Sequence, residues 1–386
     1  MDPELIYLDN AATTFPKPPG VLEAMMARYR QIGVSPGRGS YDRAAEAEGV
    51  LHQAREKLAR FFGAPDPDRV IFTANATDSL NLVLSGLLQP GDHVVTTRLE
   101  HNSVLRPLHH LQQRLGISCS LVPFSGEGFI DPDDVAAAIR PETRLVVVNH
   151  ASNVLGTVQP VGDVGGICAA RRIALLVDAS QSAGKVPVDM AAMKAYAVAF
   201  TGHKSLYGPT GIGGLVLHPE LEIAPTRFGG TGIESSSRVH TPRYPHRLEA
   251  GTHNLMGIIG LILGMDYLMG RGLAAVHGRE TVLTERLRAG LSEIRGVELY
   301  GPTAASNRVA VLSVNIQGAA PEDVGAILDG DFNIAVRVGL HCAPLVHEAL
   351  GTARRGAVRF SLGCFNTEAD IDRAVAAMAL IAGQHS

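Results

Sequence analysis

AVAFTGHKSLYGPTGIGG, residues 197–214, is a short aliphatic run that breaks into a glycine-rich turn carrying a single lysine, Lys204. A run of this length without polar alternation reads as a strand, Ala197–Thr201, buried on both faces. Similar runs are spaced along the preceding chain: Val70–Thr73, Val94–Thr97, Ile117–Pro123, Leu145–Asn149 and Ala174–Asp178, with Gly214–Leu217 following. Between them lie amphipathic segments with helical spacing, such as Asp133–Ile139 and Val161–Arg171. Strand and helix in alternation predict an α/β fold with a mainly parallel central sheet covered by helices on both faces.

Ligands on such sheets bind at the carboxyl ends of the strands. Here those ends are polar: ANATDS follows VIFT, RLEHNS follows VVTT, HASN follows LVVV, DASQ follows IALLV, and GHKS follows AVAFT. Five polar tips on one edge of a sheet predict one site. From Gly229 to Thr252 the chain is rich in Gly, Pro and Ser and reads as surface or interface loop. Helices are expected again over Leu255–Met269 and Gly278–Ile294, followed by a smaller α+β part with strands near Val309–Ile316 and Val358–Ser361.

The 386 residues exceed one ordinary core, so two units are expected. With 46% hydrophobic and 19% charged residues and a net charge of −4, the composition is that of a soluble protein with no electrostatic draw to nucleic acid or membrane. The acidic start, MDPELIYLDN, is unlike a signal peptide. GIIGLILGMDYLMG, 257–270, is too short to span a bilayer, is interrupted by Asp266, and reads as a buried helix. Four widely spaced cysteines, at 119, 168, 342 and 364, suggest neither disulfides nor a metal site, and a reduced cytoplasmic setting is expected.

Alone, Lys204 is a loop lysine; at the low-dielectric end of a sheet its amine would be depressed toward the free form that makes Schiff bases. Asp178 reads equally as an N-cap or as the partner of a pyridinium nitrogen. ANATDSLN, 74–81, reads as a helix cap or as a phosphate cradle built from backbone N–H groups and the Thr77 hydroxyl. His101 is a solvent-facing histidine or one that stacks on an aromatic cofactor and moves protons. Placed together, these residues call for pyridoxal 5′-phosphate (PLP) held on Lys204.

In order and spacing, YLDNAATT (7–14), HASNVLGT (150–157), VDASQSAG (177–184), FTGHKSLYGPTGIG (200–213), EAGTHN (249–254) and RFSLGCFNTEADID (359–372) resemble the class V aminotransferases of PLP fold type I. Within them the likeness is to the cysteine desulfurase/selenocysteine lyase group. HCAPL in VRVGLHCAPLVHEALGT (336–352) is similar to the second desulfurase group, which holds the SUF-type enzymes. The resemblance implies a large PLP-binding domain over 17–262, and a smaller α+β domain from 1–16 with 263–386. It implies that Lys204 carries the cofactor, Asp178 holds the pyridine nitrogen, Gln181 meets the ring oxygen and His101 stacks on the ring. Thr77, Thr201 and His203, with the backbone of Ala76, would bind the phosphate, and Thr252 would reach the phosphate of a second subunit in a homodimer. Asn153, beside the cofactor, would take the substrate carboxylate with Arg359. Cys342 would accept sulfur from cysteine, leaving alanine and a persulfide for a thiol or an acceptor protein.

The rival readings are a selenocysteine lyase and, further off, a class V transaminase or C–S lyase. A buried structural role is the plain alternative for Cys342, and is the reading given to Cys119, Cys168 and Cys364. A nucleotide-binding protein is disfavoured, because no glycine fingerprint follows the first strand. Three positions depart from the family pattern: Ala76 lacks a hydroxyl, His253 replaces the proline of EAGTPN, and Leu340 replaces the first histidine of HHC.

Overall fold

The computed structural model describes residues 5–37, 39–304 and 306–385, so expectations touching residues 1–4 and 386 lie outside the described residues. The first part of the chain runs β1 (Ile6–Tyr7), α1 (Val21–Ile32), α2 (Asp42–Phe61), β2 (Val70–Thr73), α3 (Ala76–Leu87), β3 (His93–Thr97) and α4 (Asn102–Leu115). It continues through β4 (Ser118–Val122), α5 (Pro132–Ala138), β5 (Thr143–Asn149), α6 (Val161–Ala170), β6 (Ala174–Asp178), β7 (Ala197–Thr201) and β8 (Gly213–Leu217). The remainder is α7 (Leu255–Arg271), α8 (Leu273–Ser292), β9 (Val297–Tyr300), β10 (Val311–Ile316), α9 (Pro321–Phe332), β11 (Ile334–Ala335), β12 (Arg337–Gly339), α10 (Pro344–Ala349), β13 (Ala357–Ser361) and α11 (Glu368–Gln384).

Seven strands form the central sheet in the order β2-β8-β7-β6-β5-β3-β4. Its pairings are parallel except at β8, which runs antiparallel to both β2 and β7. The pleat sends alternate side chains to opposite faces. Val146 and Val148 of β5 pack into a core with Leu51 and Leu58 of α2 and Ile258 and Leu261 of α7. Leu145 and Val147 pack on the other side with Leu80 and Leu84 of α3 and Leu108 and Leu111 of α4. Helices on both faces leave every residue of β7 buried, which is why that strand carries no polar alternation. No single described helix is long and apolar enough to cross a membrane, and α7 spends its apolar length in the core.

The second sheet, β12-β13-β10-β9, is antiparallel. Its core joins Leu312 and Phe360 to Leu287 of α8, Leu328 of α9 and Met378 of α11. β1 pairs in parallel with β11, and Ile6 and Leu8 enter this same core. Both ends of the chain therefore build the smaller layer. Residue 263 falls inside α7, and its later residues Met265 and Leu268 still pack with the large core.

Candidate active site

β2, β3, β5, β6 and β7 all end on one edge of the central sheet, and their polar tips converge on a cavity of about 300 Å³ that also receives residues of the smaller layer. A larger cavity, about 540 Å³, lies elsewhere against Glu48, Arg55, Thr252 and His253. The smaller one is where a lysine, carboxylate, imidazoles, guanidinium and thiol meet, so chemistry is assigned there.

Lys204 is positioned by the turn after β7. Burial lowers its amine from 10.5 to about 8, against the opposing pull of the Asp178 carboxylate. Asp178, the last residue of β6, accepts the Ser180 N–H at 2.9 Å and the Ser180 hydroxyl on one oxygen, Oδ1. That arrangement fixes the carboxylate plane through Oδ1, so an N–H on a ring could be met at Oδ2. Gln181, on the same turn, donates to the carbonyl of Ala11 at 3.0 Å.

Two side chains on the β7 turn are short of partners. Thr201 Oγ1 and His203 Nδ1 are buried and make no hydrogen bond. The N-terminal segment meanwhile pins the His203 carbonyl with Thr14 N–H at 3.1 Å, Thr13 Oγ1 at 3.0 Å and Lys17 Nζ at 2.6 Å. Burial, with Lys204 and Lys17 nearby, pushes the His203 imidazole down to about 4, so it is neutral. Across the cavity α3 begins at Ala76, capped by Asn75, whose side chain accepts the Asp78 N–H. Gly213 allows this turn to approach: a Cβ there would lie 2.8 Å from the Asn75 Cα. Thr77 Oγ1 lies 2.7 Å from Ser103 Oγ, which lies 2.8 Å from His101 Nδ1. Nδ1 also accepts the Ser103 N–H, so a neutral His101 carries its proton on Nε2. Burial and the neighbouring cations lower His101, with Asp178 opposing them.

Arg359, on β13, is 2% exposed. Its Nη2 pairs with Asp9 at 2.7 Å, its Nη1 donates to the Asn153 carbonyl at 3.2 Å, and its Nε–H has no acceptor. Asn153 turns its side-chain amide to the His341 carbonyl at 2.7 Å, leaving Oδ1 unpartnered. It thus grips the cysteine loop as well as flanking Arg359.

Cys342 is exposed, whereas Cys168 and Cys364 are buried and Cys119 is half-buried in β4. Burial raises the Cys119 and Cys168 thiols to about 11 and about 12 and pushes Cys364 up as well. His341 and Cys342 both adopt left-handed backbone, with φ 51° and 56°, a conformation that costs free energy outside glycine. Surrounding bonds hold it: Asn102 N–H donates to the Cys342 carbonyl at 2.7 Å, and the His341 ring bridges the Arg337 carbonyl and His347 at 3.3 and 3.4 Å. Thr352 in turn lies 2.8 Å from His347 Nδ1. The nucleophile candidate sits on a preformed loop.

The structure brings Lys204, Asp178, Gln181, His101, Ala76, Thr77, Thr201, His203, Asn153, Arg359 and Cys342 to one cavity. Thr252 does not join them and stands against the larger cavity of its own chain. Sequence reading missed Asp9, Ser103, Ser180 and His341, although each lies in or beside a quoted motif. Of the departures, His253 donates toward Glu249 at 2.7 Å, joining the buried Arg55–Glu249 pair, and Leu340 stands exposed beside the cysteine. For Ala76 the helix start supplies backbone N–H groups only.

The aminotransferase class-V family model matches residues 6–374. A probable cysteine desulfurase of Methanothermobacter thermautotrophicus is 38% identical over 95% of this chain and 92% of its own. A cysteine desulfurase of Yersinia pseudotuberculosis is 35% identical over 97% and 92%. Among solved structures, the cysteine desulfurase of Thermococcus onnurineus superposes with a TM-score of 0.93 at 36% identity, over 99% of this chain and 95% of that one. A cysteine desulfurase of Escherichia coli gives 0.89 at 28% identity, over 99% and 96%.

Proposed function

The chain belongs to the class V aminotransferase family, and from that premise we propose that it is a PLP-dependent cysteine desulfurase, converting L-cysteine to L-alanine and leaving a persulfide on Cys342. The observation that carries this reading is an exposed cysteine on a preformed loop opening into the same cavity as Lys204, Asp178 and Arg359.

The cavity fits the cofactor. Thr201 Oγ1 and His203 Nδ1 are buried polar atoms short of partners beside a helix start, a setting for phosphate. Asp178 suits a ring N–H, Gln181 a ring oxygen, and His101 a ring face. When bound, PLP supplies an electron sink for the Cα electron pair. Lys204 would hold the cofactor, and its amine would move the proton at the substrate Cα. Arg359 and Asn153 orient the substrate carboxylate, with Asp9 fixing the guanidinium plane. Cys342 Sγ, as thiolate, attacks the substrate sulfur: an S–S bond forms, the Cβ–S bond breaks, and its electron pair passes to Cβ, which takes up a proton. Alanine leaves, and a thiol or an acceptor protein removes the sulfane sulfur. Thr252, which does not line the Lys204 cavity of its own chain, completes the site of a second copy in a homodimer.

Incubation with L-cysteine and a thiol reductant should yield alanine and sulfide in equal amounts, with selenocysteine assayed alongside. Pyruvate and ammonia would instead mark a C–S lyase, and a keto acid with aminated cofactor a transaminase. Either product set in place of alanine overturns the desulfurase reading.

Arg359→Ala removes a 2%-exposed charged anchor, a loss on the order of 2–5 kcal/mol in transition-state binding. The expected kinetics are a sharply lower kcat/KM for every amino-acid substrate with the visible spectrum of the bound cofactor retained. Near-normal efficiency would take Arg359 out of the site.

A further inference from the structure

One titratable group beside the cavity has no part in this chemistry. Glu100 is fully buried between the ends of β3 and β5, immediately before His101. Its Oε1 accepts the Thr97 hydroxyl at 2.8 Å and the Asn149 backbone N–H at 2.9 Å. Asn149 answers with its side-chain amide, donating to the Leu99 carbonyl at 3.1 Å. The Thr97 hydroxyl also receives the Leu99 N–H at 3.1 Å. These bonds tie the turn 97–100, from which His101 projects, to the strand end whose Asn149 pairs with Asp178. Glu100 Oε2 is buried and has no partner.

We infer that Glu100 is a positioning residue held as a neutral acid: it locks the His101 turn to the end of β5 without adding a second negative charge beside Asp178. An ionised carboxylate in this place would have only neutral donors, no solvent and a like charge nearby, and burial of that kind favours the protonated form. Burial raises the Glu100 carboxyl from 4.5 to about 8, with Asp178 adding to the rise and the Asn149 and Thr97 bonds opposing it. The other titratable groups on the turn are directed elsewhere: Arg98 pairs with Glu348 of α10, and His101 caps α4. The benefit to function is electrostatic as well as geometric. Asp178 would be the one carboxylate offered to the nitrogen of a bound ring, and His101 would hold its place for the ring face.

The inference rests on the PLP reading only for the role of His101. The sign follows from linkage. A carboxyl whose folded value is raised is favoured protonated in the fold, so stability is fully present below about 4.5 and is lost as pH rises toward about 8. Glu100→Gln keeps the Oε1 acceptor and cannot ionise. In cofactor-loaded protein, the melting temperature of the variant minus that of the native chain should therefore climb between pH 5 and 8 and level above; this difference cancels the titration of Lys204. At pH 7 the variant should match the native kcat/KM within about twofold, whereas Glu100→Ala should lose about tenfold. Visible circular dichroism of the bound cofactor should change in Glu100→Ala and be restored in Glu100→Gln. A melting difference that is flat, or that falls with pH, overturns the neutral acid. Dichroism and efficiency unchanged in a folded Glu100→Ala overturn the positioning role. If Glu100→Ala does not fold, Glu100→Gln still decides through its pH dependence. A native chain with no visible cofactor band would defeat the PLP reading, and the melting comparison would still judge Glu100.

Discussion

Cys342→Ala should release almost no alanine from L-cysteine while binding the cofactor as the native chain does, an expected loss on the order of a thousandfold in turnover. The sulfur needs an acceptor when the Cβ–S bond breaks, and among the four cysteines Cys342 alone is both exposed and at the cavity. Cys168 and Cys364 lie in the interior with their thiols pushed up by burial, away from the thiolate that attacks. Lys204, Asp178 and Arg359 are untouched by the substitution, so substrate should still perturb the visible spectrum. Mass spectrometry after brief exposure of native protein to cysteine should place the added sulfur on the peptide containing Cys342. Selenocysteine turnover should partly survive, because the weaker C–Se bond breaks with less help. Persulfide on Cys119, Cys168 or Cys364, or unimpaired cysteine turnover in the variant, would remove the desulfurase mechanism and leave the fold intact.

Lys204→Ala should lose turnover altogether, since in the proposed reaction one amine would both attach the cofactor and move the Cα proton. The second role alone is worth about 10²–10⁴-fold. Borohydride should fix PLP to the native chain on the Lys204 peptide and to nothing in the variant. With its amine lowered to about 8, Lys204 is roughly one-tenth free at pH 7, against about one in three thousand at 10.5. Attachment of PLP to cofactor-free protein should therefore quicken with pH up to about 8 and level off above it. Continued rise beyond pH 9, or a reducible band retained in Lys204→Ala, would assign the attachment to another amine.

The central sheet was legible because its strands are buried on both faces. β2, β6 and β7 fall on the expected residues, and β3, β4, β5 and β8 shift their starts or ends by one or two. The reversed direction of β8 had no local signal; the connection over 202–212 holds no helix to cross back over the sheet, and the chain returns antiparallel beside β7. β9 and β12 escaped notice because they are short and only partly buried, leaving no uninterrupted apolar run. α8 starts at Leu273 rather than Gly278, since Gly272, at φ 82°, both ends α7 and admits the next helix. In the site, residues at strand ends were readable from their own motifs. The Asp9–Arg359 pair spans 350 positions, and the lock between Glu100 and Asn149 lies between two strands, so neither leaves a mark in any single segment.

The pairing of β1 with β11 and of Asp9 with Arg359 has a consequence for the order in which the protein is made. The strands that deliver Lys204 and Asp178 leave the ribosome well before the second sheet exists. Asp9 precedes Arg359 by 350 positions and must wait for that length of chain to be made before its guanidinium partner appears. During translation the nascent protein can therefore assemble its central sheet early, while the cavity that Arg359 lines closes only with β13.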